Sequence, residues 1–123
     1  MKTGTLLGGI ILAALSLPVL AKEVSYKADI RPIIDDYCLS CHIPGGKGHE
    51  KSGLDMRTYQ SMMKGTRYGA VIKPGDSFTS TLIMLVEGRA DPSIKMPYGI
   101  NGTLSGQQID LLKKWVAQGA KNN

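Results

Sequence analysis

Five consecutive residues, Cys38-Leu39-Ser40-Cys41-His42, carry most of the chemistry this chain can do. Their spacing is C-x-x-C-H, the pattern of covalent c-type haem attachment. Each thiol can form a thioether with one haem vinyl group, and the two-residue gap matches the reach between those groups. The adjacent His42 places an imidazole directly under the iron, as the neutral nitrogen ligand that iron accepts. The chain's only two Cys and one of its two His fall within these five positions. One disulfide is the default for two Cys in an exported protein, but the spacing argues against it. A thioredoxin-like C-x-x-C would need a βαβ context, and no such strand run is present. A zinc site needs four ligands and usually a second Cys pair.

The other axial ligand has to come from elsewhere. Met96 is the strongest choice, in Ile94-Lys95-Met96-Pro97-Tyr98. Pro97 removes one backbone donor and stiffens the loop, which helps to hold a thioether sulfur against iron. Met96 lies 54 residues after His42, enough chain to wrap a haem and approach its opposite face. The competing reading is that Met96 is a loop residue packed on the core. Met62, Met63 and Met84 sit in helical patterns and are expected to fill core. Met56 is more ambiguous, with packing the favoured role. His49 follows His42 by only seven residues, within a glycine-rich stretch, so it is expected to be a solvated loop histidine.

The elements that must position these groups are short helices. Residues 29–37 fit a helix capped by Asp29 with Pro32 in its first turn. Ile30, Ile33, Ile34 and Tyr37 recur at i, i+3, i+4 and i+7 as one apolar face. Residues 43–53 are rich in turn formers and predict a loop. A short helix over 58–64 should stop at Gly65. After the Lys73-Pro74-Gly75-Asp76 turn, Asp76 or Ser77 should cap a helix running to about residue 86, and residues 88–102 look irregular. The last helix has the best signal. Ser105 and Gln108 form a capping box, Ile109, Leu112, Trp115 and Val116 share a face, and Gly119 marks the end. No strand alternation is present, so the expected fold is all-α, with about four to five short helices wrapped around one haem. The first and last helices are expected to cross, and residues 121–123 to fray.

The first 21 residues read as a cleavable secretory leader. Lys2 supplies a positive start, residues 6–20 are nearly all apolar, and Val19-Leu20-Ala21 offers a cleavage site. The apolar run is short of the roughly 20 residues a bilayer span needs. The expected mature domain is residues 22–123, in the periplasm and with no membrane attachment. Losing Lys2 lowers the net charge from +5 to +4. Scattered basic residues without interleaved aromatics exclude nucleic acid as a partner, whereas a basic rim suits an acidic docking patch on another protein. A helical chain of this size with one Trp and one Phe cannot bury a large core alone. A covalently bound porphyrin would supply the missing apolar surface, and the haem-free chain is expected to be largely unfolded.

Taken together, the chain resembles a class I cytochrome c, and more closely the cytochrome c-like domain of planctomycete type. The matching pieces are Ile30-Arg31-Pro32-Ile33-Ile34, Cys38 to His42, Gly53-Leu54-Asp55-Met56, Ile72-Lys73-Pro74-Gly75-Asp76, Ser80-Thr81-Leu82, Met96-Pro97, Leu104-Ser105 and Trp115-Val116-Ala117-Gln118-Gly119-Ala120. They cover residues 24–120. The resemblance implies an electron carrier with one low-spin haem c, Cys38 and Cys41 as thioether donors, and His42 and Met96 as axial ligands. Iron held on both faces exchanges an electron without binding substrate, so no enzymatic activity is expected, and a monomeric shuttle between redox proteins is. A subunit of a larger complex, or a haem sensor with a displaceable Met96, are the alternatives. One departure concerns His42: many class I proteins carry Gly-Pro about ten residues past the haem histidine, its carbonyl orienting the ring. Here Gly53 is followed by Leu54, which leaves that acceptor unassigned.

Overall fold

The computed structural model describes residue 4 and residues 8–99 and 102–123. Lys2 and Leu6, which enter the leader reading, lie outside them. Among the described residues five α-helices follow in order: α1 (Arg31–Tyr37), α2 (Lys47–Ser52), α3 (Tyr59–Lys64), α4 (Thr81–Glu87) and α5 (Gly106–Ala117). Among the described residues there is no strand, only an isolated bridge between Thr66 and Gly69. The fold among the described residues is all-α, as the sequence predicts. No helix among the described residues is long and apolar enough to cross a membrane.

A π-helical turn, Tyr26–Ile30, leads directly into α1. The cap is therefore Ser25, not Asp29: the Ser25 Oγ accepts from the Ala28 N–H at 3.1 Å, and the Asp29 carboxylate accepts from the Ser25 N–H at 2.8 Å. Asp29 closes the reciprocal half of a cap displaced four residues upstream. Ile30, Ile33 and Ile34 are buried, as their spacing predicts.

The core gathers around Trp115 of α5, which is fully buried. Tyr26 and Tyr59 pack against it with ring centroids at 5.6 and 6.5 Å, and against each other at 5.3 Å. Such aromatic pairs add about 0.5–1.5 kcal/mol beyond their buried area. The last helix thus packs on the π-helical turn and on α4; the expected crossing with the first helix is made by the turn preceding α1. Glu87 of α4 bonds to Lys113 of α5 at 2.7 Å, tying the two helices.

Helix ends follow the sequence closely at two places. Thr58 and Ser61 form a reciprocal cap on α3, which Gly65 ends at φ +85, where a Cβ would fall 2.4 Å from the Gly69 carbonyl oxygen. Ser105 and Gln108 do the same for α5. By contrast, α4 begins at Thr81 with Ser80 as its cap, later than expected. Asp76 is used in the preceding turn, accepting from the Thr79 N–H at 2.9 Å. Buried Ser80 locks that turn to α4, its Oγ accepting from the Lys73 N–H at 2.8 Å and donating to the Asp76 carbonyl at 2.7 Å. A buried hydroxyl satisfied in both senses stabilises the join.

The C-terminal residues do not fray. The Asn123 side chain accepts from the Tyr26 N–H at 2.8 Å and donates to the Val24 carbonyl, and its backbone carbonyl accepts from the Lys27 N–H at 3.0 Å. The Gln118 side chain accepts from the Val24 N–H at 2.8 Å. The segment from Lys22 onward is clasped to the end of the chain, whereas residues 8–21 are exposed and form no helix.

Candidate functional site

The Cys38–His42 turn hangs from the end of α1. The Cys38 and Leu39 N–H groups both donate to the Ile34 carbonyl at 2.9 Å, and the His42 N–H donates to the Cys38 carbonyl at 3.1 Å. The turn is therefore a continuation of the helix whose apolar face enters the core. Neither Cys38 nor Cys41 is in a disulfide. Burial pushes the Cys38 thiol up to about 11, against a smaller downward pull from Arg31. It remains protonated near neutrality, which suppresses the thiolate chemistry that disulfide exchange requires.

Beyond the turn the chain forms a helix where a loop is expected. The short helix α2 has no buried residue of its own; it is held by the turn it follows. The His49 N–H donates to the Cys41 carbonyl at 2.9 Å, and the Met56 N–H to the His42 carbonyl at 2.8 Å. Gly48 lies against the imidazole: a Cβ there would be 2.7 Å from His42 Cε1 and 3.0 Å from Nδ1. Gly48→Ala is expected to lower stability by about 1–3 kcal/mol through overpacking, outweighing the roughly 1 kcal/mol gained in helix propensity. Thermal unfolding checks this against Gly106→Ala, where no atom lies within 4 Å and no loss is expected.

Arg31 completes this wall. Its guanidinium donates to the Met56 carbonyl at 2.8 Å and the Arg57 carbonyl at 3.2 Å while pairing with Asp35. It thereby fastens the segment after α2 to α1. Sequence reasoning assigned Arg31 no role; its signal was a charged residue next to the buried face of the first helix.

These walls enclose a cavity of about 370 Å³. Cys38, Cys41 and His42 line it together with Leu82, Leu85 and Val86 from α4. Met96 lines it too, brought there by a loop whose backbone N–H reaches the Leu85 carbonyl at 3.3 Å. Thus all four residues singled out in the sequence face one cavity. Met56 also lines it and is buried, whereas His49 does not. Met62 is buried in the core, and Met63 packs against it, as expected of fillers.

His42 is suited to ligation. Burial holds its imidazole below the ordinary histidine value, while the Leu54 backbone favours the protonated ring and His49 adds to the lowering. Its Nδ1 is buried with no partner at hydrogen-bonding geometry among the described residues, and Leu54 occupies the position, after Gly53, where an orienting carbonyl was sought. A neutral imidazole, two thiols, a thioether and an apolar wall fit a covalently attached haem. They do not fit a bare ion: among the described residues no three His, Cys, Asp or Glu side chains converge to hold one.

Residues 38–97 match the sequence model of the family described as Planctomycete cytochrome C. That segment is similar to a planctomycete-type cytochrome c domain. The match runs from the first cysteine of the haem motif to the proline after Met96. No curated protein and no solved structure matches the chain. The match to a cytochrome c family points to haem-based electron transfer with a covalent haem c and its iron, and Cys38, Cys41 and His42 fit the attachment motif. In the planctomycete-type pattern the Pro74-Gly75-Asp76 and Ser80 pieces have a structural job here: they set the start of α4, whose apolar face lines the cavity.

Proposed function

We propose that this chain is an exported, monohaem cytochrome c that passes single electrons between partner proteins. In this reading Cys38 and Cys41 hold the haem as thioethers and His42 and Met96 ligate its iron. The observation that carries it is the shared cavity: an attachment turn and a distant methionine line one apolar space. When bound, the haem supplies a one-electron iron couple. His42, kept neutral by burial, offers nitrogen, and Met96 offers a thioether that favours ferrous iron and raises the potential.

With His42 and Met96 both holding the iron, the chain would have no substrate position and would act as a carrier rather than an enzyme. The framework of α1, α2 and α4 keeps the ligand positions similar in both oxidation states. Exposed Ile94 and Tyr98 stand at the mouth of the cavity, where a partner would approach, and the basic balance of the chain suits an acidic docking patch. The mature chain starts at Lys22, whose carbonyl accepts from the Gln118 side chain, and the exposed apolar residues described before it add nothing to the core. A periplasmic monomer is the corresponding physical state.

Absorption spectra of the haem-loaded wild-type protein test the reading. The ferric form should show the weak far-red sulfur-to-iron charge-transfer band, and the ferrous form should not bind carbon monoxide readily. A missing band together with rapid carbon monoxide binding would replace the carrier by a sensor or enzyme with an open iron.

A further inference from the structure

Among the described residues, Lys47 and Lys51 are the only ones lining the cavity, apart from His42, that can carry a charge at neutral pH, and no Asp or Glu lines it. They stand four apart on α2, so they share a face of that helix. The helix itself is pinned to the attachment turn by the His49–Cys41 backbone bond and by the close approach of Gly48 to His42. Both lysines are exposed, and neither is in an ion pair among the described residues, whereas Arg31, Arg57, Arg89, Lys113 and Lys121 all are. The neighbouring polar groups are occupied: the Ser52 hydroxyl donates to the Gly48 carbonyl at 2.7 Å and that of Thr66 to the Gly69 carbonyl at 3.1 Å.

We propose that Lys47 and Lys51 are the carboxylate-binding end of the cavity and pair with the two propionate groups of the haem. The proposal rests on the haem reading above. A porphyrin of this class is apolar except for two carboxylates, and a carboxylate drawn against an apolar wall needs a cationic partner. Lysine stems can cover apolar surface while their ammonium groups stay at the water boundary, which suits two exposed residues at a cavity rim. An anionic ligand group also explains why two like charges are placed on one face of a six-residue helix, where their mutual repulsion is unfavourable.

Negative charge near the iron stabilises its ferric state, so cations paired with the propionates favour reduction. Lys47→Gln with Lys51→Gln in the haem-loaded protein should therefore shift the reduction equilibrium about threefold toward ferric, about 28 mV at 59 mV per tenfold. Haem content and the far-red band should be unchanged. Lys47→Arg with Lys51→Arg should restore the wild-type potential, and Lys64→Gln with Lys114→Gln, exposed and away from the cavity, should move it less. A potential in the Gln pair equal to that of the distant pair, or no rescue by the Arg pair, would overturn the proposal while leaving the haem reading intact. Wild-type protein without covalent haem or without the band would overturn the haem reading, and this proposal with it.

Discussion

Met96→Ala should drop the midpoint potential on the order of 0.2 V, given that axial ligands set haem potentials over about 0.8 V. It should also abolish the far-red band and let ferrous iron bind carbon monoxide. The direction follows from losing a thioether that prefers ferrous iron. The size separates a ligand from a packing residue, because truncating a half-buried loop methionine that only packs would leave iron coordination untouched. Met56 provides the internal comparison. It lines the same cavity but is buried behind the Arg31 bonds to its own carbonyl and to that of Arg57. If Met96→Ala kept the band and Met56→Ala lost it, the ligand would be reassigned to Met56. Spectroelectrochemistry on the two variants decides the matter, since each alternative predicts which of them loses sulfur ligation.

Removing the haem should cost the chain most of its stability. A cavity of about 370 Å³ left unfilled corresponds to about 9 kcal/mol at roughly 24 cal/mol per Å³. That is comparable with the whole stability of a small domain, roughly 5–15 kcal/mol. Protein expressed without haem attachment should therefore lack a cooperative thermal transition and show reduced helical circular dichroism at 25 °C. Cys38→Ala with Cys41→Ala should release its haem into acidified organic solvent, which the wild type should not. A haem-free chain with a sharp transition and full helicity would show that the aromatic cluster around Trp115 suffices, and would remove the haem from the list of things that hold this fold together.

The same physics explains why α2 was unreadable in the sequence. Lys47-Gly48-His49-Glu50-Lys51-Ser52 has no apolar stripe and a glycine inside it, so neither propensity nor periodicity predicts a helix. The helix exists because its backbone bonds to the Cys41 carbonyl and because Gly48 fits against the His42 ring. Those are contacts with residues already placed by α1. The Asn123 clasp is similar: an asparagine in a polar tail carries no local signal, and only the approach of residues 24–27 gives its amide both partners.

What was legible in the sequence was local or chemically exclusive. The C-x-x-C-H spacing names its own chemistry, the two capping boxes need only three intervening bonds each, and the 3.6-residue period of Ile30, Ile33 and Ile34 marks a buried face without reference to any partner. Tertiary structure alone decided how those pieces meet. It brought Met96 to the cavity through the Leu85 carbonyl, set Leu54 against the His42 ring and turned Lys47 and Lys51 toward an apolar space. Such contacts join residues far apart in the chain or depend on where a helix axis points. They are fixed by packing and by the need to satisfy buried backbone groups, neither of which a single sequence window contains.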